Sequence, residues 1–204
     1  MFITFEGAEG VGKSTQIKLL QQHLERVAKS VVLTREPGGT QLAEKLRSIL
    51  LENEGIKDAL IEYLILATAR RDHILKVIEP SLKAGKWVLC DRFYDSSIVY
   101  QGMLKGLDLN LMERLHTEIN NSLFPDMTIV LDIEPESSNQ RLVARTEELT
   151  HYDTKDISFH KSVREGFLFV AKQNQQRVHV IDAHGSVDDV HARIIKLLEP
   201  HLQG

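Results

Sequence analysis

The sequence predicts an α/β fold: a three-layer sandwich of about five parallel strands flanked by helices on both faces. Three observations carry that reading. Short apolar runs alternate along the chain with stretches of helical spacing, the runs are almost continuously apolar, and the first of them leads into a glycine-rich loop that opens a helix. Alternation of strand and helix calls for parallel strands joined by crossovers. Continuous apolar runs point to burial on both faces of the sheet.

The strand-like runs are MFITF (1–5), VVLT (31–34), WVLC (87–90), MTIVLD (127–132) and VHVID (178–182). Helical spacing covers 14–28, 40–51, 59–82, 109–120, 137–146, 159–173 and 187–202. Pro80 falls late in the third of these stretches and is expected to kink or end that helix. Gly38-Gly39 and the segment from Gly102 to Gly106 read as loop punctuation. No repeat, low-complexity tract or linker interrupts the pattern, so residues 1–204 are expected to form a single P-loop domain.

Composition narrows the function. The net charge is -4, and there is no basic run or aromatic-rich stripe, which argues against a nucleic-acid binder. Cys90 is the sole cysteine and lies in an apolar run, so a packed thiol is expected over a reactive one. MFITF is too short for a signal-peptide core, and no apolar run has the length of a membrane span. A soluble cytoplasmic protein, without membrane or nucleic-acid partner, is the expectation. The nine histidines show no metal-ligand spacing and read as surface or core residues.

The glycine-rich loop is Gly7-Ala8-Glu9-Gly10-Val11-Gly12-Lys13-Ser14, the phosphate-loop pattern. Its four fixed positions coincide by chance in about one in a hundred unrelated chains of this length. Glycines let the backbone bring its N–H groups against phosphate oxygens, and the helix beginning near Lys13 adds the positive end of its dipole. Lys13 supplies a mobile positive charge for β- and γ-phosphates, and the Ser14 hydroxyl is placed to complete a Mg²⁺ shell. Thr15 is either beside the α-phosphate or simply a residue of the first helical turn.

In such a sheet, ligands collect at the carboxyl ends of the strands. Strand two leads into TREPGGT (34–40) and strand three into DRFYDSS (91–97). Asp91 is placed to face the metal, often through water, or else is a helix N-cap or turn aspartate. The Arg92 guanidinium could bind two phosphate oxygens and neutralise charge developing during transfer. A GTP-binding switch is disfavoured because the near match Thr154-Lys155-Asp156 has the wrong spacing for a guanine reader. A motor or helicase ATPase would be longer and more basic. What remains is a small nucleotide-type kinase.

Several segments together carry a family resemblance: FEGAEGVGKST (5–15), TREPGGT (34–40), ARRDH (69–73), DRFYDSS (91–97), YQG (100–102), FPD (124–126) and SFHKSVREGF (158–167). In these the chain resembles the bacterial thymidylate kinases, and the matches span nearly its whole length in the family's order. The resemblance implies transfer of phosphate from ATP to dTMP, with Mg²⁺, giving dTDP on the way to dTTP. It implies an ATP site on residues 7–15 and an acceptor site in which Arg70 bonds the thymine edge, helped by Ser97 and Gln101. Tyr100 would press on the sugar and exclude ribose, Arg47 and Arg92 would hold the acceptor phosphate, and Glu36-Pro37 would be a cis bond shaping the wall. Glu9 would point outward to the acceptor's 3′-OH. A homodimer packed through helices is also implied, with residues 61–67 either a contact surface or core.

Two departures stand out. The family usually stacks an aromatic on thymine where this chain has Leu66. In the lid, residues 145–158, His151 replaces the usual arginine, leaving Arg145 as the expected source of transition-state charge, with Arg141 one turn earlier. Two other functions stay open: a kinase for another nucleoside monophosphate, and an ATP-binding regulatory protein with a weakened lid.

Overall fold

A computed structural model describes residues 1–52, 56–138 and 156–202. Five strands form one sheet: β1 Phe2–Glu6, β2 Val31–Arg35, β3 Trp87–Asp91, β4 Met127–Asp132 and β5 Val178–Asp182. Their order is β2-β3-β1-β4-β5, and every neighbouring pair is parallel. The expected strands match within a residue or two at their ends. The inner strands β1, β3 and β4 are buried on both faces, as their continuous apolar runs imply, whereas the edge strands β2 and β5 are partly exposed, with Leu33 and Val180 on the surface.

The two-residue period of a strand divides the core. Ile3, Phe5 and Leu89 face one layer, with Leu20 and Leu24 of α1 (Lys13–Arg26). Phe167 of α7 (Ile157–Gln173) and Ile194 of α8 (Val187–Leu202) complete that layer. Phe2, Val88 and Cys90 face the other layer with Tyr63, Ala67, Ile74 and Met112. These come from the long helical segment after residue 58 and from α6 (Leu109–Asn120). Remaining helices are α2 (Gln41–Glu52), α3 (Ala59–His73), α4 (Glu79–Lys83) and α5 (Tyr94–Ser97).

The structure refines one sequence expectation and corrects another. Of the two outcomes expected at Pro80, an end of the helix at that residue does not occur: a π-helical turn at Ile74–Ile78 precedes it, Glu79 N–H donates to Ile74 C=O, and helix continues to Lys83. The wider turn lies where a proline disrupts the usual ladder. Residues 94–104 are helical, as α5 followed by a π-helical stretch at Ile98–Leu104. Gly102 therefore sits inside a helix, where a side chain would collide with Leu109, whereas Gly106 is a genuine turn residue with φ 75°. Of the helix expected at 137–146, residues 139–146 lie outside the described residues, as do Arg141, Arg145 and His151.

One buried polar network crosses the sheet between β1 and β4. Arg177 forks onto both oxygens of Asp95 (2.7 and 2.8 Å), and Asp95 accepts from the Thr128 hydroxyl at 3.0 Å. Thr128 in turn contacts Thr4 Oγ1 at 2.8 Å. Removing one partner of a buried pair leaves the other charge uncompensated. Asp95→Ala is therefore expected to destabilise the fold by about 3 kcal/mol. Urea unfolding that shows a midpoint unchanged from the parent would refute this.

Candidate active site

An open cleft lies along the carboxyl ends of β1, β2 and β3. At one end is the phosphate loop. Gly7, Gly10 and Gly12 all have positive φ, and a side chain on Gly7 would sit 2.5 Å from the Leu131 carbonyl. The loop thus needs glycine both for its turns and for its close approach to β4. Val11 packs into the core and Ala8 is buried, so these positions offer backbone to a ligand, while Thr15 is exposed on the first turn of α1.

Lys13 donates to the carbonyls of Gly7 (3.0 Å) and Ala8 (2.7 Å), which fixes its ammonium over the loop. Burial and the neighbouring Arg92 pull its pKa down to about 8. Ser14 Oγ donates to Asp91 Oδ2 at 3.2 Å. Asp91 ends β3, and the N-cap of the helix beyond it is Phe93, so Asp91 does not cap that helix.

Arg92 occupies the middle of the cleft. Its backbone is left-handed, φ 67°. The guanidinium donates to Glu9 Oε1 (2.8 Å) and Ser96 Oγ (3.0 Å) and lies over the Tyr100 ring. Tyr100 OH donates to the Glu9 carboxylate as well. Burial alone would raise the Glu9 pKa, but Arg92 and Lys13 hold it below the ordinary carboxylate range.

At the far end, Arg70 is buried. Its Nε donates to Glu36 Oε2 at 2.7 Å and its Nη2 to Ser97 Oγ at 3.0 Å, while Nη1 has no hydrogen-bond partner among the described residues. Leu66, Tyr100 and Gln101 line the same end. Arg47 donates to the Pro37 carbonyl at 3.0 Å from the rim, and the Glu36-Pro37 bond is cis. Every acceptor-site residue expected from the sequence lines this one cleft: Glu9, Pro37, Arg47, Leu66, Arg70, Arg92, Ser97, Tyr100 and Gln101.

Sequence reasoning missed Glu6. It ends β1, is fully buried, and accepts from Phe93 N–H (2.8 Å) and Ser96 Oγ (2.6 Å), with Arg92 3.9 Å away. A carboxylate closing an otherwise apolar strand was the signal available. Burial pushes its pKa up to about 7, against the pull of Arg92. An acid whose pKa rises on folding contributes stability below its unfolded value, near 4.5, and loses it as pH climbs through about 7. Glu6→Gln is thus expected to flatten the fall in unfolding free energy between pH 5 and pH 7.5, measured by urea titration at both.

A polyphosphate cradle and a pocket with a buried arginine, facing each other across a pair of charged groups, define a P-loop kinase that acts on a small nucleotide-like acceptor. The thymidylate kinase family profile matches residues 5–194. A thymidylate kinase of Symbiobacterium thermophilum is 44% identical over 98% of this chain and 92% of its own length, and one of Bacillus pumilus is 39% identical over 100% and 97%. The crystal structure of thymidylate kinase from Ehrlichia chaffeensis superposes with a TM-score of 0.79 at 38% identity, covering 97% of this chain and 98% of that one. The chain belongs to the thymidylate kinase family.

Proposed function

We propose that this protein phosphorylates dTMP to dTDP with ATP as donor, ATP lying along residues 7–15 and dTMP in the pocket around Arg70. Family membership supports the reaction. The observation that carries the site assignment is the position of Arg92, between the phosphate loop and the acceptor pocket and hydrogen-bonded to residues of both.

The acceptor is a phosphate whose oxygen is already ionised near neutral pH, so no general base is required. Catalysis then reduces to aligning two polyanions and cancelling their repulsion. Lys13 and the loop N–H groups grip the donor, and Arg47 and Arg92 grip the acceptor phosphate. Tyr100, held by Glu9, closes the space beside the sugar, and Glu9 keeps an oxygen for a 3′-hydroxyl. Arg70, Ser97 and Gln101 address the base edge, with Leu66 covering its face.

The oxygen pair Ser14 Oγ and Asp91 Oδ2 at the lip of the loop suits a hard cation such as Mg²⁺, which keeps several waters and phosphate oxygens as ligands. Mg²⁺ bound there would shield the donor phosphates. Among the described residues no cluster of three or more His, Cys, Asp or Glu could hold a metal.

The proposal extends to four further properties. Residues 1–204 act as one domain, with a lid at 145–158 in which Arg145 supplies transition-state charge. The protein works in the cytoplasm, in accord with its single buried thiol. It meets no membrane or nucleic acid; among the described residues no helix is long and apolar enough to cross a membrane. It pairs as a homodimer through α3. The run at 61–67 divides there: Ile61 (53%) and Leu64 (41%) are exposed on the same side as Leu75, whereas Glu62, Tyr63 and Ala67 are buried. An exposed stripe of this kind is a candidate contact surface, and its other face is core.

A coupled assay with dTMP, dUMP, dGMP and dCMP tests the function, with dTMP expected to give the highest kcat/KM and Lys13→Ala expected to lower kcat about a hundredfold or more. ATP consumption that does not rise with dTMP would instead favour a regulatory nucleotide-binding protein. Leu66→Phe should tighten dTMP binding by about 1 kcal/mol through ring stacking, about fivefold in Kd by titration calorimetry. Arg145→Ala should reduce kcat at least about tenfold; an unchanged turnover would remove it from the mechanism.

A further inference from the structure

Arg70 is clasped by Glu36, which lines the cleft, and Glu36 is held from behind by groups that do not reach it. Glu36 accepts Arg70 Nε on Oε2, and its other oxygen, Oε1, lies 3.0 Å from His73 Nδ1. The opposite ring nitrogen, His73 Nε2, is 2.6 Å from Thr34 Oγ1. Arg70 and His73 are three residues apart on α3, so both project from one face of the helix and grip the same carboxylate. The Glu36 backbone N–H is itself fixed to the Asp91 carbonyl at 2.9 Å.

The Glu36 contact fixes the role of one ring atom: an ionised Glu36 only accepts, so Nδ1 carries a proton toward it, while Nε2 pairs with the Thr34 hydroxyl, which can donate or accept. Arg70 and Thr34 hold the Glu36 and His73 ends, and the backbone of Gly39 closes the far side: a side chain there would sit 2.6 Å from both His73 Nε2 and Thr34 Oγ1. His73 has no exposed surface and is absent from the cleft wall. It is too well enclosed to touch a ligand.

We propose that His73 is a positioning residue for acceptor-base recognition: through Glu36 it sets the rotation of the Arg70 guanidinium, so that Nη1, buried and without a partner, is presented to the base. The inference rests on the reading of Arg70 as the group that addresses the base. Without the His73 bond, Glu36 Oε1 loses its anchor and the carboxylate can turn, carrying Arg70 Nε with it. The Phe93 and Tyr94 rings against the guanidinium, 5.1 and 5.8 Å from its carbon, constrain its plane but not its rotation within that plane. A donor held in one direction favours a base with a carbonyl at the position it addresses and disfavours one with an amino group there. Thymine and cytosine differ in that way at their 4-position.

The test compares steady-state kinetics of His73→Ala, His73→Asn, Thr34→Val and Arg70→Ala against the parent, with dTMP and dCMP as acceptors. His73→Ala is expected to raise KM for dTMP and to lower the dTMP-over-dCMP ratio of kcat/KM, each about tenfold, while KM for ATP stays within about twofold. Asn can keep a donor where Nδ1 stood, so His73→Asn should recover most of the selectivity; Thr34→Val should show a smaller loss of the same kind. Unchanged dTMP KM and selectivity in a folded His73→Ala protein would overturn the proposal, as would equal rises in KM for both substrates. Should Arg70→Ala leave dTMP KM unchanged, the base-reading assignment itself fails, separately from the role of His73.

Discussion

Charge balance at the carboxyl edge of a buried sheet is the constraint on which this structure depends. A kinase of this kind must gather cations to meet two polyphosphate anions, yet cations taken out of water are destabilising unless each is matched. The protein matches them individually. Arg92 lies between Glu9 and Glu6, Arg70 against Glu36, and Arg177 against Asp95. Lys13 and Arg47 are the exceptions: their direct partners are backbone carbonyls, and the Lys13 pKa is drawn down to about 8. The least neutralised cations of the cleft are therefore the ones with most charge left over for an incoming anion.

Much of this was legible from residue order, for identifiable reasons. The inner strands β1, β3 and β4 are buried on both faces and so stood out as apolar runs, the edge strands β2 and β5 kept enough Val, Leu and Ile to be read beside them, and the carboxyl-edge rule then indicated which loops would meet. TREPGGT, ARRDH and DRFYDSS lie far apart in sequence but converge because β2 and β3 are neighbours and α3 packs beside them. Residues 94–104 were not legible as helix. Tyr94, Val99, Tyr100 and Gln101 are buried for different reasons, some against the core and some along the cleft, so no single apolar face marks the segment. Gly102, which reads as a loop signal, is there for close packing against Leu109.

The side-chain roles of Glu6, Glu36 and His73 escaped notice for a related reason. None is called for by the ligand, and their importance comes from groups brought to them by the fold. A buried carboxylate can be recognised as a partner only once the cation it serves is located, and sequence spacing between Glu36 and Arg70, or between Glu6 and Ser96, carries no helical or strand period. Family resemblance supplied residues that line the cleft, whereas geometry supplied the buried groups bonded to them.

Arg92 shows why the second set matters. A left-handed backbone in a residue with a side chain is strained by about 1 kcal/mol or more, so something must over-determine it. Its own N–H donates to the Phe5 carbonyl, its carbonyl accepts from the Cys90 thiol, and the next N–H is captured by Glu6. Glycine would relieve the strain but remove the guanidinium, and a relaxed arginine would continue the direction of β3. The strained turn instead delivers the guanidinium sideways, into contact with Glu9 of the phosphate loop and Ser96 at the mouth of the acceptor pocket. Strain at one residue is thus what lets a single cation serve both halves of the cleft, and Glu6 at the end of β1 is what holds that strain in place.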